Sequence, residues 1–144
     1  MSGIRVCVDT NVFLNVLNRK LNFYSDSKEV LNAIDQGQVY AVIPTLVIAE
    51  ILTGFYADNK SQIAEQFLST ILSNNNIILV QLSVEIANSS ALIRVETGMK
   101  LPDCMVLSTA LLESVDYFVT NDKNFLDTFH GLHCVNPSEF LKLL

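Results

Sequence analysis

The chain has 144 residues, half of them hydrophobic and 17% charged, and carries a net charge of −6. That length suits one compact domain with a substantial core, and the acidic balance excludes a protein that coats nucleic acid through a basic surface. No apolar run reaches the ~18 residues that a bilayer span requires, so no membrane partner is expected.

Short β-rich runs alternate with longer helical ones. Residues 4–9, "IRVCVD", alternate Ile4, Val6 and Val8 with Arg5 and Cys7 and read as a strand. Helical spacing follows over 11–19, and again over 26–36, where Asp26 and Glu29 suggest a capping box and Gly37 a stop. Residues 40–44 read as the second strand. A helix is predicted over 46–55, and another over 61–72, where apolar residues recur at i, i+3 and i+4. A third strand is predicted at 77–81. Residues 83–97 form a helix with a serine at its start and Gly98 at its end, and 104–112 form another. Strands at 117–120 and, more weakly, 132–135 complete the pattern, with short helices after Asp122 and after Pro137. This order predicts a single-domain three-layer α/β/α fold around a mainly parallel twisted sheet of four to five strands. In such a sheet the ligand crevice lies beyond the carboxyl ends of the strands.

Three cysteines, Cys7, Cys104 and Cys134, lie far apart and outside any metal-binding spacing. They predict a reducing, cytoplasmic setting without disulfides or structural zinc. The N-terminus reaches a charged residue at once, so a mature, non-secreted chain is expected. His130 and His133 bracket a glycine turn and are expected to be loop residues, and Cys134 a core residue.

Most of the fifteen acidic residues sit among polar neighbours or at helix ends, Asp127 among them. Four lie against apolar sequence. Asp9 ends the first strand and either caps the next helix or points into the crevice. Glu50 lies on a helix that is apolar nearly all round, so it is expected to be buried and to require a cation, a distant salt bridge or protonation. Asp103 precedes the apolar stripe of Val106, Leu107, Ala110 and Leu111, where a helix N-terminus favours an anion. Asp122 follows a strand and could cap a short helix. Right-handed crossovers bring such positions to one sheet edge. Carboxylates gathered there repel unless divalent cations offset them, and oxygen-only ligands select Mg2+ or Mn2+.

The order Asp, Glu, Asp, Asp, in "VDTNVFLN", "PTLVIAEIL", "LPDCMVLSTALL" and "FVTND", resembles the PIN-domain family across essentially the whole chain, and within it the VapC-type toxins, which are small single-domain ribonucleases. The resemblance implies that Asp9, Glu50, Asp103 and Asp122 hold one or two Mg2+ or Mn2+ ions for hydrolysis of RNA phosphodiester bonds. Asn11 would support the site by hydrogen bonding, and Thr120 would orient a carboxylate or water. The third motif departs from the family at Cys104, where alanine is usual. A homodimer and a small antitoxin protein as partner are implied too.

Arg94, Lys100 and Lys123 are the candidates for phosphate contacts. Rival readings are a phosphatase with Asp9 as nucleophile, disfavoured by Asn11 where such enzymes place a second aspartate, a catalytically silent domain that only binds a partner, and a PIN nuclease of RNA processing outside the toxins.

Overall fold

The computed structural model describes residues 3–125 and 128–144. Its strands are β1 (Ile4–Val8), β2 (Val39–Pro44), β3 (Ile77–Val80), β4 (Tyr117–Val119), β5 (Thr128–Phe129) and β6 (Leu132–Val135). Its helices are α1 (Thr10–Leu17), α2 (Tyr24–Asp35), α3 (Thr45–Ala57), α4 (Ser61–Ser73), α5 (Val84–Thr97), α6 (Leu101–Leu112) and α7 (Pro137–Lys142). The sheet order is β3-β2-β1-β4-β6-β5, parallel throughout except for the last pair. Helices cover both faces in a three-layer α/β/α sandwich. Helices α1, α2 and α7 pack together, as do α5 and α6.

Central parallel strands are buried on both faces. Accordingly Val6, Cys7 and Val8 are all fully buried. Phe118 at the centre of β4 is also fully buried, a side chain whose burial stabilises by about 3 kcal/mol. Helices α2 and α4 turn Val30, Ala33, Ile34, Ala64 and Ile71 into this core. Among the described residues no helix is long and apolar enough to cross a membrane.

The strand order places the functional edge. From β1 the chain steps outward to β2 and β3, then returns to lay β4 on the opposite side of β1. The carboxyl ends of β1 and β4 therefore form the topological switch point, where ligands bind in open α/β sheets. Val8 lies in register with Val119, and the Asp9 N–H donates to the Val119 carbonyl at 3.0 Å.

Several boundaries differ from expectation. Helix α2 begins at Tyr24 without a side-chain cap, so Asp26 lies in its first turn and no capping box forms. Helix α6 begins at Leu101, not at residue 104, because proline fits the first turn, where N–H groups lack helical partners anyway. The short helix expected after Asp122 is absent among the described residues. The Asp122 carboxylate accepts from the Asn124 N–H at 2.9 Å, which closes a tight turn instead. Asp127 lies outside the described residues. The sixth strand, β5, pairs antiparallel with β6 through a two-residue turn at His130 and Gly131, both with positive φ. His133 consequently lies on β6, not in a loop. Cys134 is buried as expected.

Candidate active site

Asp9 leaves β1 with extended backbone and opens α1, so one side chain both caps a helix and faces the switch point. Its Oδ1 accepts from the Thr10 N–H at 2.8 Å. Its Oδ2 accepts from Asn11 Nδ2 at 3.0 Å and from the Thr120 hydroxyl at 2.8 Å. Asn11 Nδ2 also donates to Thr120 Oγ1, and Asn11 Oδ1 receives the Asn121 N–H at 3.0 Å. The Asp122 N–H donates to the same Thr120 hydroxyl at 3.0 Å. This network ties the ends of β1 and β4 together.

Only 7% of Asp9 is exposed. Burial pushes its carboxyl up from 3.8 to about 6, against the hydrogen bonds from Thr120 and Thr10, and the charges of Asp103 and Glu50 push the same way. Asp103, half-buried in the first turn of α6, is also pushed upward, by burial first and then by Asp122, with Lys100 opposing. The N-cap residue of α6 is Lys100, which makes no side-chain capping hydrogen bond. The four acids thus share one electrostatic neighbourhood through the pairs Asp9–Asp103, Asp9–Glu50 and Asp103–Asp122.

Glu50 is not buried. Ala49 and Glu50 lie on the exposed face of α3, and an apolar helix need not be covered all round. Its carboxylate accepts from the Thr10 hydroxyl at 2.8 Å. Thr10 escaped the sequence reading, although it stands between Asp9 and Asn11. Helical geometry turns each successive side chain by about 100°, so Asn11 faces Asp9 and Thr120 while Thr10 reaches across to α3.

Among the basic residues, Lys100 and Lys123 are exposed beside Asp103 and Asp122. Arg94 instead commits a guanidinium nitrogen to the Gly98 and Met99 carbonyls, which fastens the end of α5 to the loop entering α6. His130 lies apart from the four acids and pairs with Glu96 at 2.9 Å.

The donor set suits a hard divalent cation. It is all oxygen, and no ion pair to Asp9, Glu50, Asp103 or Asp122 is formed among the described residues. Among those residues, no three His, Cys, Asp or Glu side chains stand close enough to grip an ion as they are.

Comparison with known proteins bears on the same residues. The PIN domain pattern matches residues 6–129. An uncharacterized protein of Archaeoglobus fulgidus is 39% identical over 61 residues, 42% of this chain and 93% of that protein. Solved structures share the fold. A toxin–antitoxin complex from Klebsiella pneumoniae has a TM-score of 0.69 at 24% identity, covering 92% of this chain and 97% of that one. VapBC2 from Rickettsia felis, bound to a DNA fragment from its promoter, has a TM-score of 0.72 at 19% identity, with coverages of 92% and 98%. VapC20 from Mycobacterium tuberculosis, a sarcin-ricin-loop-cleaving toxin, has a TM-score of 0.69 at 11% identity, with coverages of 89% and 98%. The PIN pattern takes in all four acids together with Asn11 and Thr120, and on that match the chain belongs to the PIN-domain family.

Proposed function

We propose that this protein is a Mg2+- or Mn2+-dependent endoribonuclease and the toxin of a toxin–antitoxin pair. The observation that carries the reading is Asp9: a buried carboxylate at the switch point, fixed by three donors, acted on by the charges of Asp103 and Glu50 and, among the described residues, paired with no cation. Family membership supplies the nuclease class. The toxin–antitoxin complexes and the sarcin-ricin-loop-cleaving toxin of the same fold support the toxin and RNA parts.

On this reading Asp9 and Asp103 hold the divalent ion, with Asp122 and Glu50 completing the set. A divalent ion bound there supplies Lewis-acid activation of water and offsets charge on the phosphate. Asn11 and Thr120 keep Asp9 oriented, so that little reorganisation is needed when the ion arrives. One of the carboxylates accepts the proton of the attacking water as its oxygen bonds to phosphorus, the P–O3′ bond breaks, and the departing 3′-oxygen takes a proton from solvent. Lys100 and Lys123 are exposed where the backbone phosphates would pass.

A homodimer and a small antitoxin partner belong to the same proposal. Val84, Leu92 and Val95 on α5 are 87%, 66% and 87% exposed, an apolar stripe suited to another chain. A solution mass checks the dimer.

The deciding experiment replaces Asp9 or Asp103 with Asn and measures RNA cleavage with Mg2+ or Mn2+. Both variants should lose cleavage, and full activity in both would overturn the assignment. The rival is a silent domain of this fold that only binds a partner. Calorimetry with Mn2+ separates the two, since a silent domain shows no divalent binding.

A further inference from the structure

Beside the acid cluster lies a second concavity of about 230 Å³. It shares Thr120 and Asp122 with the candidate active site, and its other walls include Phe23, Asn121, Lys123 and Glu139. The walls come from three separate parts of the chain, and the side chains of Phe23, Asn121, Lys123 and Glu139 take no part in holding Asp9.

Asn121 carries the argument. Its backbone N–H is engaged by Asn11, but its side-chain Nδ2 is buried and has no hydrogen-bond partner among the described residues. A buried donor left unpaired costs about 1–3 kcal/mol. A turn of the Asn121 side chain towards the concavity would let a ligand acceptor recover that cost. Phe23 is 46% exposed on the wall of the same concavity and offers an aromatic surface. Glu139 has its backbone N–H bonded to Asn136, while its carboxylate pairs with no side chain among the described residues. Lys123 is exposed at the rim beside Asp122.

One buried donor, one free carboxylate and one aromatic surface fit an unstacked nucleobase. Single-stranded RNA is read by stacking on aromatic side chains and by hydrogen bonds to the Watson–Crick edges of splayed bases. Guanine fits this set best. Its O6 accepts from an amide N–H, while its N1–H and N2–H present two parallel donors to a carboxylate, the bidentate arrangement that is strongest with a charged acceptor. Adenine, cytosine and uracil each offer a carboxylate a single donor group on that edge. We infer that this concavity is a base-binding subsite that takes a guanine of the RNA strand next to the phosphate being cut. The inference rests on the ribonuclease reading for its substrate, but the subsite is testable without cleavage.

The first test titrates the intact protein with GMP, AMP, CMP and UMP, without divalent ions, and follows amide shifts by NMR. GMP should perturb Phe23, Asn121 and Glu139 and bind more tightly than the others, and Glu139→Gln or Asn121→Leu should reduce that preference about tenfold. The second test maps the ends of RNA fragments cut by the wild type and both variants. Wild type should show guanine at one fixed position beside the cut, and each variant should lower the ratio of guanine to other bases there about tenfold. Selective GMP binding without any RNA cleavage would keep the subsite and remove the ribonuclease reading. Cleavage whose base preference neither variant alters, or a nucleotide titration that shifts residues elsewhere or favours another base, would overturn the subsite.

Discussion

The Thr120 hydroxyl donates to Asp9 Oδ2 at 2.8 Å across 111 positions of sequence, and the same oxygen receives the Asp122 N–H at 3.0 Å. One buried hydroxyl therefore fixes one candidate ligand directly and the backbone of a second. Thr120→Val keeps the shape but leaves a buried carboxylate oxygen and an N–H short of a partner. It should cost about 1–3 kcal/mol of stability and weaken Mn2+ binding about tenfold, while Thr120→Ser retains most of both. Chemical denaturation and calorimetry measure the two effects. Equal behaviour of Val and Ser would show that the hydroxyl is not what positions Asp9.

The buried Asp9 predicts a pH signature. Its carboxyl is raised from 3.8 to about 6, chiefly by burial. A raised folded value means that the favourable contribution is fully present below about pH 3.8 and is lost as pH climbs through about 6. The loss reaches about 3 kcal/mol at neutral pH. In metal-free buffer, the stability of wild type relative to Asp9→Asn should fall over that window and stay level above it. Denaturation of both proteins across the range tests this. A difference that does not vary with pH would show that Asp9 is solvated in the folded chain.

How much of this was legible in the sequence depended on range. Asp9 and Asp122 could be placed because a strand followed by an acid needs only local periodicity and the rule that crevices open at strand ends. Helix starts and stops marked by Ser83, Gly37 and Gly98 were equally local, and the structure caps α5 with that serine and ends it on Gly98 in the left-handed conformation. Glu50 was misjudged because composition reveals how apolar a helix is, not which face a neighbour leaves open, and its partner Thr10 lies 40 residues away. Strand β5 has two residues, too few for any periodicity. Its one signal was a residue followed by glycine in a two-residue turn, at His130 and Gly131. The concavity at Asn121 had no sequence signature, since three separate segments build it.

The four acids should not contribute equally to divalent binding. Asp9 is buried and Asp103 half-buried, and Asp103 raises the cost of charge on Asp9 while Asp122 raises it on Asp103, whereas Glu50 is exposed and, among the described residues, held by Thr10 alone. Charge is worth more where water is scarce. Asp9→Asn and Asp103→Asn should therefore weaken Mn2+ binding by about a hundredfold and Glu50→Gln by about tenfold. Calorimetry gives the ranking directly. A larger loss from Glu50→Gln than from Asp9→Asn would shift the centre of the site towards α3.

Cys104 tests whether the departure from the family's third motif touches the chemistry. Its side chain is fully buried, with Sγ 3.5 Å from the Met99 carbonyl. It follows Asp103 on α6, and adjacent helical side chains do not face one another. Helical geometry thus turns the sulfur towards the loop entering α6 while the carboxylate looks to the switch point. Alanine in its place removes one buried atom and should cost about 1 kcal/mol. Mn2+ affinity and RNA cleavage should stay close to wild type, because neither the backbone of the first helical turn nor any contact of Asp103 depends on the sulfur. Thermal denaturation and cleavage rates on the Cys104→Ala variant measure both. A stability loss of that size with intact cleavage marks Cys104 as packing, whereas a loss of Mn2+ binding would show that the sulfur sets the position of Asp103.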